Sequence, residues 1–125
     1  HGSTFGGNPL AMAVANAVLD GLEEDGFLVA VRERIASLDG YLTQLQNVWP
    51  EKIIELRGAG LLRGLRLEDD IAVGEVAKAL RDRYLLCVPA ADNVLRLLPP
   101  LTIREDELAI AQSALEHCFS EVAAA

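Results

Sequence analysis

Two places in this 125-residue chain combine residue types that can hold an anion. The first is the opening stretch HGSTFGGNPLA, His1 to Ala11, where the hydroxyls of Ser3 and Thr4 precede Gly6-Gly7 and then Asn8-Pro9. Asn at an N-cap with Pro at the first helical position starts a helix. The free amides of such a start, with two hydroxyls beside them, suit a negatively charged group. The same residues also read as a flexible terminus with an ordinary cap. The second place is Arg96 in NVLRLLPPL. An arginine among Val94, Leu95, Leu97 and Leu98 must leave the core or meet an anion, because a buried unpaired charge is very costly. Its planar fork is well shaped for a carboxylate. Two outcomes stay open: Arg96 turns out to solvent or pairs with a structural Glu, or it is held for a carboxylate ligand.

Other chemistries find no support in local sequence. There is no G-x-x-x-x-G-K-[ST] phosphate loop, no H-E-x-x-H metal pattern, and no suggestion of a Ser-His-Asp or Cys-His arrangement. The carboxylate clusters Glu23-Glu24-Asp25 and Glu68-Asp69-Asp70 fall at element ends and read as solvated surface. His1 and His117, Cys87 and Cys118 are too isolated for a metal site or a disulfide framework, which fits a reduced, cytoplasmic setting. Net charge is −8 and the eleven cations are scattered, so a nucleic-acid partner is not expected. No apolar run approaches the ~18 residues of a spanning helix and no secretory signal is evident, so neither is a membrane role. A chain opening on His1 without methionine is read as a piece of something longer.

These two features need elements to position them. Asn8-Pro9 starts a helix carrying Leu10, Val14, Val18 and Leu22 among alanines, expected to pack on more than one side and to end at Gly26. Leu28, Val31, Ile35, Leu38, Leu42 and Leu45 form the stripe of a second helix, closed by Trp49-Pro50. Strands are expected over 52–56 and 61–67 around a turn at Arg57-Gly58-Ala59-Gly60. A third helix is expected from Ile71 to Tyr84 with Tyr84 on its apolar face, then strands over 85–88, stopped by Pro89, and 93–98. Glu105, Asp106 and Glu107 announce a last helix, with Arg104 at the N-cap and Ile103 and Leu108 as a staple. Its buried face is Leu108, Ala111, Leu115, Phe119 and Val122, and Val122 to Ala125 should fray. The order predicts an α+β domain: a small, largely antiparallel sheet with helices on one side.

HGSTFGGNPLA, together with LRGAGLLRGLRL (56–67) and VLRLLPPLTI (94–103), resembles the C-terminal part of the class III, pyridoxal-phosphate-dependent aminotransferases, most closely the acetylornithine branch. The resemblance runs the length of the chain. It implies the small-domain fold of that family, a single C-terminal domain over 1–125, and residues 1–25 as the loop and helix leading to a large cofactor-binding domain. It implies a homodimer in which Thr4, with Ser3, reaches the cofactor phosphate of the opposite subunit. It also implies that Arg96 holds the carboxylate of amino-acid and 2-oxo-acid substrates, and that the glycines of RGAGLLRG are structural. The reaction so implied is transfer of the δ-amino group of N-acetylornithine to 2-oxoglutarate, in arginine biosynthesis.

One part of the family's chemistry has no counterpart here. Transamination needs a lysine that binds the cofactor and shuttles the proton, and Lys52 and Lys78 lie in no matching context. The chain alone is therefore expected to contain no catalytic residue and to be inactive. Ornithine, succinylornithine and 4-aminobutyrate enzymes share these motifs, and a stand-alone binding or assembly module is the alternative from another class. A domain parted from its enzyme should self-associate through its first helix. Adding pyridoxal phosphate to this chain should give no absorbance of a lysine-linked cofactor, and such a band would overturn that assignment.

Overall fold

A computed structural model describes residues 2–122. The elements run α1 (Pro9–Glu23), α2 (Phe27–Val48), β1 (Ile53–Ala59), β2 (Leu62–Leu67), α3 (Val73–Arg81), β3 (Val88–Ala90), β4 (Val94–Leu97) and α4 (Glu105–Glu121). The four strands form one antiparallel sheet in the order β1-β2-β4-β3. No helix among the described residues is long and apolar enough to cross a membrane.

Strand alternation divides the sheet into two unlike faces. Leu56, Leu65 and Leu95 are cross-strand partners, and Leu65, Leu67, Leu95 and Leu97 are buried. They meet Leu38, Leu42 and Leu45 of α2, Leu80 of α3, and Leu115 and Phe119 of α4 in one core. The opposite face carries the row Arg57, Gly64, Arg96 and Val88. The α+β architecture with a helix-covered and an open face is thus the expected one.

Tight backbone packing explains the glycines of the β1–β2 hairpin. Gly58 lies at φ +99°, and a Cβ there would collide with the Leu62 carbonyl. A Cβ on Gly64 would come within 2.7 Å of Val94 Cγ1, so β2 and β4 can pair closely only without one. The turn itself is Gly60-Leu61, not Arg57 to Gly60, since Arg57, Gly58 and Ala59 all pair with β2. Gly58, which reads as turn in the sequence, lies inside β1, while Gly60 keeps its place in the turn.

Other boundaries also move. The third helix stops at Arg81, and Tyr84 sits at φ 62° and 98% exposed, so it leaves the apolar face assigned to it. Pro89 does not stop a strand but occupies the middle of β3, paired with Leu95. β3 is a sheet edge, where a missing N–H is tolerated. Val122 packs against the core instead of fraying, while 123–125 lie outside the described residues. In α4, Ile103 and Leu108 are buried as a staple requires, Ala111 is only half-buried, and Cys118 joins the buried face. Arg104 does occupy the N-cap, where the Glu107 carboxylate accepts from its backbone N–H at 2.9 Å.

The first helix departs most. Asn8 caps it as expected, its Oδ1 accepting from Ala11 N at 2.9 Å, yet none of its residues is buried. It packs against α2 and leaves Leu10 75% exposed, with Val14, Val18 and Leu19 also bare.

Asn93 organises the chain between β2 and α3. Its φ of 52° is one that Asn tolerates better than most residues. Its Oδ1 accepts from Val73 N at 3.1 Å, capping α3 from a distance, while Nδ2 donates at 2.8 Å to the carbonyls of both Glu68 and Ile71. Lys52, largely buried, donates from Nζ to the Phe119 carbonyl at 2.8 Å in the last turn of α4, where a cation complements the helix dipole. Replacing Asn93 by Ala leaves an amide and two carbonyls without this partner. Asn93→Ala is expected to cost about 2–3 kcal/mol in urea unfolding.

Candidate functional site

The open sheet face carries three arginines and three carboxylates, and their pairing is unequal. Arg57 Nε and Nη2 both reach Glu55 Oε2 at 2.7 Å, and Nη1 reaches Asp92 Oδ2 at 2.5 Å. Arg66 Nη2 reaches Asp69 Oδ1 at 2.5 Å, its Nε lies 3.4 Å from Asp92 Oδ1, and Nη1 donates to the Leu67 carbonyl. Arg96 lies exposed on the same face, and no carboxylate among the described residues is within ion-pair reach of it. Of the alternatives open in the sequence, pairing with a structural Glu is therefore not the one found.

Hydrogen bonding to Arg57, seconded by the charge of Arg66, holds the Asp92 carboxyl below the ordinary carboxylate range. A depressed carboxylate contributes its pairing above the pKa of the unfolded chain, near 3.9, and loses it as pH falls through the lower folded value. The ion pairs on this face are thus intact at neutral pH. Burial pushes the Cys87 thiol up to about 12 and the Cys118 thiol upward as well, so neither is a thiolate nucleophile at neutral pH. Burial likewise raises the Tyr41 phenol, whose hydroxyl donates to the Gln112 carbonyl at 2.7 Å and ties α2 to α4.

The opening loop is the second part of the candidate site. Ser3 and Thr4 are exposed, and neither hydroxyl has a hydrogen-bond partner among the described residues. The loop is shaped by its backbone instead: Gly6 N donates to the Ser3 carbonyl at 3.3 Å, and Asn8 Nδ2 to the Phe5 carbonyl at 2.7 Å. No acidic side chain occupies the first turn of α1, so nothing there offsets the positive helix end.

The fold does not bring the two parts together. Helix α1 is packed on α2, and Arg96 stands on the sheet. An apolar groove of about 380 Å³, lined by Leu98, Pro100, Ile103, Leu108, Ala111 and Leu115, lies on the helix side and includes neither part. No group of residues fit to hold a metal occurs among the described residues. Sequence reading missed Asn93 and the shared role of Asp92, whose only local signal is an Asp-Asn pair before a strand.

Lys52 is committed to the Phe119 carbonyl and Lys78 projects from the exposed side of α3.

Residues 1–119 match the family model described as aminotransferase class-III. The acetylornithine aminotransferase of Mesorhizobium japonicum is 49% identical over 108 residues, covering 86% of this chain and 27% of that protein. That of Brucella suis is 44% identical over 122 residues, covering 98% and 29%. Among solved structures, the acetylornithine aminotransferase of Elizabethkingia anophelis superposes with a TM-score of 0.86 at 34% identity, covering 98% of this chain and 32% of that one. The chain spans less than a third of the length of these relatives.

An exposed arginine without an ion pair differs from a structural one in what its loss costs. Arg96→Ala is expected to shift folding stability by no more than about 0.5 kcal/mol. Arg63→Ala should cost more, since Arg63 is held by Asp39 of α2 and donates to the Gly58 carbonyl at 2.7 Å. Parallel urea titrations of the two variants check this.

Proposed function

The chain belongs to the class-III aminotransferases, and we propose that it forms the C-terminal domain of an enzyme of the acetylornithine type. That enzyme transfers the δ-amino group of N-acetylornithine to 2-oxoglutarate by alternating donor and acceptor at one site. The observation carrying this reading is Arg96: a forked cation on an uncovered face, with no carboxylate among the described residues in ion-pair reach. The names of the most similar relatives support the acetylornithine assignment.

The residues divide the work as follows. Arg96 takes the substrate carboxylate through two parallel hydrogen bonds, which fixes the rotation of the bound molecule and thus which bond at its reacting carbon is aligned for cleavage. Ser3 and Thr4 offer hydroxyl donors to the phosphate of a cofactor held with the partner subunit, assisted by the uncompensated start of α1. Their exposed, unpartnered hydroxyls fit that group. Pyridoxal phosphate, when bound, supplies the electron sink for the reaction. The bare apolar surface of α1 is where this domain meets its large domain and the second subunit. By itself the chain is inactive, since neither lysine can take the cofactor.

The test is a chimera in which this chain replaces the matching segment of the Mesorhizobium japonicum enzyme, assayed with N-acetylornithine and 2-oxoglutarate. The chimera should be active, and Arg96→Ala within it should lower kcat/KM by about 100-fold without weakening cofactor retention. Thr4→Ala should do the reverse, weakening retention of the cofactor first. A folded chimera indifferent to Arg96→Ala would remove the assigned role.

A further inference from the structure

Arg96 has a second arginine for a neighbour. Arg57 lies in the same cross-strand row, with Gly64 between them. Neighbouring strands are about 4.8 Å apart, so the two arginines start roughly 10 Å apart on one face, with the side chain of Val94 leaning over Gly64 between them. A Cβ at Gly64 would touch Arg57 Cβ at 3.7 Å and Val94 Cγ1 at 2.7 Å, which places Arg57, Gly64 and Val94 on one side of the sheet. Two forked cations at this spacing, both free, would form a clamp for a small dicarboxylate.

They are not both free. All three nitrogens of the Arg57 fork are occupied, two by Glu55 and one by Asp92. Arg66 is likewise filled by Asp69, Asp92 and the Leu67 carbonyl. The three acids of this face are thus spent on two of its three arginines. Asp92 reaches both from the β3–β4 tip, a position set by its own φ of 61° and the anchoring of Asn93 beside it.

We propose that Glu55 and Asp92 are specificity determinants of this face: by filling Arg57 they prevent a two-point dicarboxylate clamp, so that the sheet holds one carboxylate at a time, at Arg96. This inference rests on the proposed role of Arg96. It makes the face indifferent to whatever lies beyond the held carboxylate, as a site that takes a monocarboxylate donor and a dicarboxylate acceptor in turn requires.

The experiment uses the isotope-labelled 125-residue chain at low ionic strength, titrated with acetate or glutarate while its amide resonances are followed. In the wild-type chain both probes should shift the amides around Arg96 on β4, with affinities within about twofold of each other. In the Glu55→Gln/Asp92→Asn double variant, glutarate should also shift amides around Arg57 on β1 and bind about tenfold more tightly, the equivalent of one added charge-assisted contact. Acetate should bind at Arg96 less than about threefold more tightly, the partly screened effect of two lost negative charges, and adding Arg57→Gln should abolish the gain of glutarate at β1. Both acids are about half exposed, so their neutral variants should keep a dispersed spectrum. Should the double variant fail to fold, Glu55→Gln alone leaves the hairpin tip anchored and should show a smaller gain at the same β1 amides. Shifts at β4 with no gain at β1 in a folded variant overturn the proposal and spare the Arg96 reading. No shift at β4 in the wild-type chain overturns both.

Discussion

Burial of Leu95 and Leu97 is the constraint from which the open face follows. Both are packed into the core beneath α2, α3 and α4, and because side chains alternate along a strand, the residue between them must point the other way. A slip of one residue in β4 would place a guanidinium among leucines and expose two leucines to water. The register is therefore held by hydrophobic burial, and the placement of a cation on the bare side of the sheet is its by-product. The same alternation carries Arg57 and Arg66 to that side and Leu56 and Leu65 to the other.

Charge on that face is settled locally. Acids from β1, the β2–α3 loop and the β3–β4 tip converge on Arg57 and Arg66, and none is placed to reach Arg96. Surface ion pairs of this exposure contribute little to stability. Their consequence is electrostatic: they cancel two positive charges beside a third. Asn93 gives this arrangement its fixed frame, since it holds the tip by side-chain bonds to the backbone of the β2–α3 connection.

At the other end of the chain, structure and packing part company. Helix α1 has a proper cap, a proline at its start and a run of alanines and branched apolar residues, so it forms for local reasons. What it lacks is a core to bury that surface, and it adds to α2 only a shallow contact. That apolar surface stands uncovered among the described residues, and the chain spans less than a third of the length of its relatives.

The sequence by itself determined the element order, the antiparallel α+β class, the α1 cap and the buried stripe of α2 from Val31 to Leu45, though not Leu28, which stands half exposed; Ser3, Thr4 and Arg96 it singled out by residue type, and all three are exposed. Each is encoded locally, by a period, a cap residue or a motif within about a dozen positions. Tertiary structure alone decided that Gly58 belongs inside a strand, that Pro89 is tolerated in β3 because β3 is an edge, and that Tyr84 turns out to solvent. It also decided which acids meet which arginines: Asp92 is 35 residues from Arg57, and Lys52 is 67 from the Phe119 carbonyl it caps. Such pairings depend on sheet order and on the register of strands far apart in the chain, and no local period reports either.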